Sequence, residues 1–287
     1  DLTVFLDNVL QFFIDNAGDE IARARYSAQQ ERSLGLGAMG MHSYFQKNRI
    51  PFDSPQAVAH NNAIFSYIKA KAVEATLEMG KRRGEAPDME GTGRRNAHML
   101  AIAPNANSSM IVNTSPSIEP WKANAFTSRT RVGSHLNKNP YLEEELEKIG
   151  KNTEEVWSMI ITNGGSVQHL DFLDDQTKAV FKTAIELDQL SLIRLAGDRQ
   201  KYLCQGQSLN VFFPAGATKK DLHQVHYQAW KQGCKGLYYL RTETSNKAEN
   251  VSLKVEREKL DDIINPNTIN FSNGSEPQQD ECVACQG

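Results

Sequence analysis

The chain has 287 residues, 39% hydrophobic and 23% charged, enough for one large domain or two small ones with a sizeable core. A net charge of −3 gives no electrostatic footprint for nucleic acid, and no Lys/Arg block suits an anionic membrane, so the expected ligand is small. No apolar run nears the roughly 18 residues of a membrane span, and the first residues, DLTVFLDNVLQFF, lack a basic region and a small-residue cleavage site, so a cytoplasmic location is expected.

The chain opens without Met and inside a helical pattern of Val4, Leu6, Val9, Leu10 and Phe13, as though something belonged in front of it. Residues 35–40, GLGAMG, match the glycine spacing of a dinucleotide turn, but the preceding SAQQERS is too polar for a buried first strand. The glycines are read instead as letting a strand and a helix pack closely. A helix is predicted over 54–80, capped by Ser54 with Pro55 in its first turn, burying Val58, Phe65, Ile68, Ala72, Ala75 and Met79. HMLAIAP (98–104) reads as a strand.

The stretch APNANSSMIVNTSPSIEP (103–120) crowds small polar residues into a bend that is expected to start a helix at Ser108. Free N–H groups there, beside the hydroxyls of Ser108 and Ser109, suit an anion, although Asn and Ser are also ordinary turn formers. Further on, SLNVFF (208–213), a helix over 219–232 and GLYYL (236–240) make strand, helix, strand, the unit of a parallel sheet. Thr218 caps that helix, Asp221 is its N3 residue, Leu222, Val225, Ala229 and Trp230 are placed inward, and Gly233 ends it. Tyr238 and Tyr239 are neighbours. In a regular strand one would enter the core and one a helix-covered face. As a redox relay they would need a local departure from strand geometry to bring the rings together, since a phenol that loses an electron also loses its proton. Past Thr242 the composition turns polar, and apart from a charged helix near 252–264 it reads as linker. The fold is therefore expected to span 1–245, with a tail over 246–287 that ends in the C-x-x-C pair Cys282 and Cys285. Four cysteines are too few for a secreted disulfide scaffold, so that pair is redox-active or metal-binding, and a zinc site would need a second pair that the sequence lacks.

Taken in order, RSLGLGAMG, PNANSS followed by SIEP, QSLNVFFP, WKQGCKGLYYLRT and CVACQG resemble the large catalytic subunit of aerobic (class I) ribonucleotide reductase, over nearly the whole chain. The resemblance implies an α/β fold: the second half of a ten-stranded α/β barrel made of two five-stranded parallel halves, with a flexible C-terminal tail. It implies that the loop Asn105, Ala106, Asn107, Ser108 and Ser109 holds the diphosphate of a ribonucleoside diphosphate. Some relatives have Glu at the position of Ala106, so N–H groups and neighbouring side chains must suffice there. It further implies that Tyr238 and Tyr239 deliver a radical from the small subunit, and that Cys282 and Cys285 shuttle electrons to the active site from thioredoxin or glutaredoxin.

What the family places elsewhere is absent. The finger loop with the thiyl-radical cysteine and the two cysteines that reduce the sugar are not here, nor are the effector-binding helices for dNTP and ATP. The resemblance puts these on an N-terminal half and the dimetal-tyrosyl radical on the small subunit, leaving no cofactor or metal on this chain. Cys204 and Cys234 fall outside the reactive positions and read as buried packing residues. The chain is thus expected to act only with an N-terminal half of the large subunit and the small subunit, whether as a split-gene product of the phage type or as a truncated subunit. Two other classes stand beside this reading: a non-catalytic module that docks the small subunit, and a stand-alone thiol oxidoreductase, which places C-x-x-C at a helix start and not in a tail. In the tail, Asp280 and Glu281 disfavour thiolate. The 40 residues from 242 to 281 reach roughly 30–40 Å as a flexible chain, which lets the dithiol visit both a buried site and a protein reductant.

Overall fold

A computed structural model describes residues 1–130 and 133–242. The expected tail, its charged helix and the pair Cys282 and Cys285 lie outside the described residues. In chain order, helices α1 (Leu2–Asn16), α2 (Ala22–Glu31), α3 (Met41–Lys47), α4 (Pro55–Arg83) and α5 (Ala106–Ile111) lead into a hairpin of β1 (Ala125–Thr130) and β2 (Gly133–Lys138). Helices α6 (Pro140–Lys148), α7 (Glu154–Thr162), α8 (Asp175–Val180) and α9 (Gln189–Gln200) follow, then β3 (Val211–Phe213), α10 (Lys219–Lys231) and β4 (Leu240–Thr242).

The barrel character lies in four parallel segments that hydrogen-bond in sequence. Leu34 N donates to His98 O and Leu36 N to Met99 O, both at 2.8 Å. The 98–104 segment, predicted as a strand, then makes parallel bridges from Leu100 to Leu36 and from Ile102 to Gln207. Ser208 N donates to Ile102 O (2.9 Å), and β3 pairs in parallel with β4, Val211 opposite Leu240. Apolar residues on these segments and on the helices covering them, among them Phe45, Phe65, Met99, Ile193 and Val211, form the main core together with Ile118 from the loop after α5. A second cluster, Leu142, Leu146, Trp157, Ile160, Leu170 and Phe181, sits under the hairpin and α6–α8, a region for which the sequence offered no expectation.

The helices start and stop where their caps dictate. Ser54 Oγ accepts Ala57 N (3.1 Å), Pro55 takes the first helical position, and Gly84 at φ +83° ends α4. Phe65, Ala72 and Met79 bury the inner face as predicted. In α10 the Thr218–Asp221 capping box forms and Val225 and Ala229 go inward, but Trp230 is 72% exposed. A residue next to Ala229 is turned about 100° from it, which carries Trp230 out of the buried stripe and against the Tyr227 ring, 5.8 Å away.

The glycine motif at 35–40 serves close packing. A Cβ on Gly37 would stand 2.5 Å from the carbonyl oxygen of Ala101, on the adjacent segment. Gly40, at φ +83°, starts α3, and a Cβ there would meet Thr114 Oγ1 at 2.5 Å.

Candidate active site

The 103–120 loop leaves the C-terminal end of a parallel segment, where open α/β proteins place their ligands. Its helix starts earlier than expected. Asn105 adopts the left-handed conformation (φ 54°) as the residue before α5, so the helix begins at Ala106 and not at Ser108. Asn tolerates that conformation, which lets the turn close two residues sooner. The first intrahelical bond is Ser109 N to Asn105 O (3.0 Å), so the N–H groups of Ala106, Asn107 and Ser108 precede it. Asn107 and Ser108 are exposed. Ser109 is buried, its hydroxyl donating to Ala106 O (2.8 Å) and bracing the turn from behind.

Downstream, the loop is tied to the start of α3. Gly40 N donates to Ser115 O (3.0 Å), Ser43 N to Ser115 Oγ (3.1 Å) and Ser115 N to Ser43 Oγ (2.8 Å). His42 Nδ1 accepts Trp121 N (2.9 Å), and Trp121 Nε1 donates to Ser43 Oγ (3.2 Å). These bonds fix the position of Glu119, which is 2% exposed and accepts from Asn210 N (2.7 Å) and Asn210 Nδ2 (3.0 Å). Burial pushes the Glu119 carboxyl above its ordinary range, against the opposing effect of those two bonds and of the Lys122 and Arg241 charges. Asn210 in turn meets the tyrosine pair, its Oδ1 accepting Tyr239 N (3.1 Å). The end of the 103–120 loop and the tyrosines are thereby joined through two residues, Glu119 and Asn210, to which the sequence reading gave no role. The one available signal was an acidic residue in the otherwise small and apolar SIEP.

Tyr238 and Tyr239 do not divide between core and helix-covered face. They are 47% and 43% exposed, with ring centroids 4.0 Å apart and planes at 48°. The Arg241 guanidinium lies 5.2 Å from the Tyr239 ring. Cys204 and Cys234 are free thiols packed against the main core, but half-buried and not buried as expected; burial raises the Cys234 thiol above its usual range while Arg199 works the other way. Among the described residues no group of three or more His, Cys, Asp or Glu side chains is placed to hold a metal, and no helix is long and apolar enough to cross a membrane.

Comparison with known proteins identifies the family and the fold. The sequence model of the ribonucleotide reductase barrel domain matches residues 2–94 and 86–240. The chain is 52% identical over 290 residues to the putative ribonucleoside-diphosphate reductase large subunit of Frog virus 3 (isolate Goorha), covering 100% of this chain and 48% of that protein. It is 45% identical over 285 residues to the ribonucleoside-diphosphate reductase large subunit of Invertebrate iridescent virus 6, covering 98% of this chain and 29% of that protein. Among solved structures, the Actinobacillus ureae class Id ribonucleotide reductase alpha subunit superposes with a TM-score of 0.79 at 43% identity, over 85% of this chain and 46% of that one. The chain thus spans about half the length or less of these relatives, and it belongs to the ribonucleotide reductase barrel domain family.

Proposed function

We propose that this chain is the C-terminal portion of a ribonucleoside-diphosphate reductase large subunit and works only with the N-terminal half of that subunit and the radical-generating small subunit. In the assembled enzyme a ribonucleoside diphosphate loses its 2′-hydroxyl as water, and the two electrons and two protons come from a dithiol that becomes a disulfide. The substrate's diphosphate sits at Asn105, Ala106, Asn107, Ser108 and Ser109, where three N–H groups precede the first bond of α5. Cys282 and Cys285 re-reduce the active site and are themselves reduced by thioredoxin or glutaredoxin. Tyr238 and Tyr239 pass the radical inward.

The observation that carries this reading is the contact between two consecutive phenols, 4.0 Å apart at a half-exposed surface. Core packing does not require it, and a relay does. Tyr238→Phe and Tyr239→Phe each remove one hydroxyl, so the fold is expected to persist while conversion of CDP to dCDP by the assembled enzyme falls to background. Turnover above about a tenth of wild type in either variant, with effects of that size amounting to about 1.4 kcal/mol of barrier, removes the relay. Activity in an assembly that lacks this chain would make it a docking module instead.

A further inference from the structure

Consecutive residues of a regular strand point to opposite faces, yet the Tyr238 and Tyr239 rings face one another. The cause lies in the register. The β3–β4 pairing sets Val211 opposite Leu240, and Val211 N donates to Tyr239 O (3.0 Å) as that register demands. Continued one step back, the same ladder would send Tyr239 N to Leu209 O. Instead Tyr238 N takes Leu209 O (2.8 Å), and Tyr239 N turns to Asn210 Oδ1 (3.1 Å). Two residues therefore occupy one ladder position. A bulge of this kind re-aims side chains and strengthens the local twist, and regular β4 begins only past it, at Leu240.

The amide that completes the bulge has one orientation available. A carboxylate only accepts, so Asn210 Nδ2 must face Glu119 and Oδ1 must face Tyr239. Glu119 also receives Asn210 N, so a single buried carboxylate fixes both the main chain and the side chain of Asn210.

We propose that Asn210, oriented by Glu119, is the positioning group that holds a one-residue bulge at Tyr238–Tyr239 and so sets the two phenols against each other. Its importance for turnover rests on the relay reading above; the bulge does not. The test begins with the full chain labelled with 3-fluorotyrosine, the Tyr239 resonance being assigned by Tyr239→Phe. In the otherwise wild-type chain, Tyr238→Leu is expected to move the Tyr239 fluorine signal by removing the neighbouring ring current. In Asn210→Leu, which lacks both the amide acceptor and the donor, the same Tyr238→Leu change is expected to leave that signal where it is. In the assembled enzyme Asn210→Leu is expected to lower kcat by about 10- to 100-fold with KM for the diphosphate unchanged, because the 105–109 loop is untouched. Glu119→Gln keeps the volume but offers an NH2 group to one of the two Asn210 donors, so it moves both readouts in the same direction, and it decides the matter if Asn210→Leu does not fold. Ring coupling that survives in these variants overturns the proposal. Coupling lost with kcat intact supports the positioning role and sinks the relay instead.

Discussion

His42 lies wholly inside the protein, where Nε2 meets Val180 O (3.3 Å) and Nδ1 accepts Trp121 N (2.9 Å). Those partners require the neutral ring with its proton on Nε2. Burial lowers its pKa to about 3, with the Val180 bond opposing the shift. Unfolded, the ring titrates near 6.5, so between these values the unfolded chain binds more protons and stability falls as pH falls. At pH 5 the loss attributable to this ring is about 2 kcal/mol, several degrees in Tm for a chain of this size. His42→Gln keeps an acceptor for Trp121 N but does not titrate. Its Tm is expected to fall less than that of the wild type between pH 7 and pH 5, as measured by calorimetry; parallel slopes would show that the acid sensitivity lies elsewhere. The residue matters beyond stability, because Trp121 follows Glu119 by two positions, and a loosened Trp121 releases the end of the 103–120 loop.

Among elements, α1 shows most clearly what the sequence made legible and what it did not. Helices with a cap at each end and an apolar inner stripe, α4 and α10, were readable because local chemistry and tertiary burial point the same way. The sequence also shows α1 as a helix, but not which side faces in. Its buried residues include Thr3, Asp7 and Ile14, because Asp7 is held by guanidiniums contributed from far along the chain: Arg32 (3.0 Å), Arg83 (2.9 Å) and Arg95 (3.4 Å). Asn96 Nδ2 adds a bond to Asp7 Oδ1 (3.1 Å). Burial alone would raise the Asp7 carboxyl, but the charges of Arg32 and Arg95 and the bonds to Arg32 and Arg83 prevail and hold it below the usual range. Such partners are 25 to 89 positions away and leave no local periodicity to read. The same holds at the site. The loop and the tyrosines could be named from a family resemblance, whereas Glu119 and Asn210 act across a separation of 91 residues. Asp7→Ala removes the one carboxylate that pairs with Arg32 among the described residues and takes the counter-charge from a guanidinium that is 6% exposed. The expected cost is about 3–5 kcal/mol in urea unfolding, as for other buried pairs broken on one side. A loss below about 1 kcal/mol would mean that solvent already screens these pairs.

At the scale of the whole molecule, the outward side of α1 is apolar where a finished surface is not. Leu2, Phe5, Val9 and Phe12, spaced three, four and three apart, are 50–69% exposed and share one helical face. Spacing of that kind seats a second helix, knobs into holes. Among the described residues the parallel segments also stop at 34–36 on one side and at β4 on the other, which leaves strand edges of the sort that proteins cover. The relatives are about twice as long as this chain or more, so they carry further polypeptide able to close both features. The expected assembly with the N-terminal half of the large subunit is tight and permanent, burying more than about 2,000 Å² as obligate interfaces do, with α1 inside it. Phe5→Glu with Phe12→Glu places two charges on the outer stripe without touching Asp7 or its arginines. The double variant is therefore expected to fold like the wild type by circular dichroism, yet to lose co-sedimentation with that half, and hydrogen exchange along α1 should slow on mixing only in the wild type. A wild-type chain that remains a monodisperse monomer in the mixture, with α1 exchange unchanged, would show that this face is complete as it stands and that the two parts do not assemble through it.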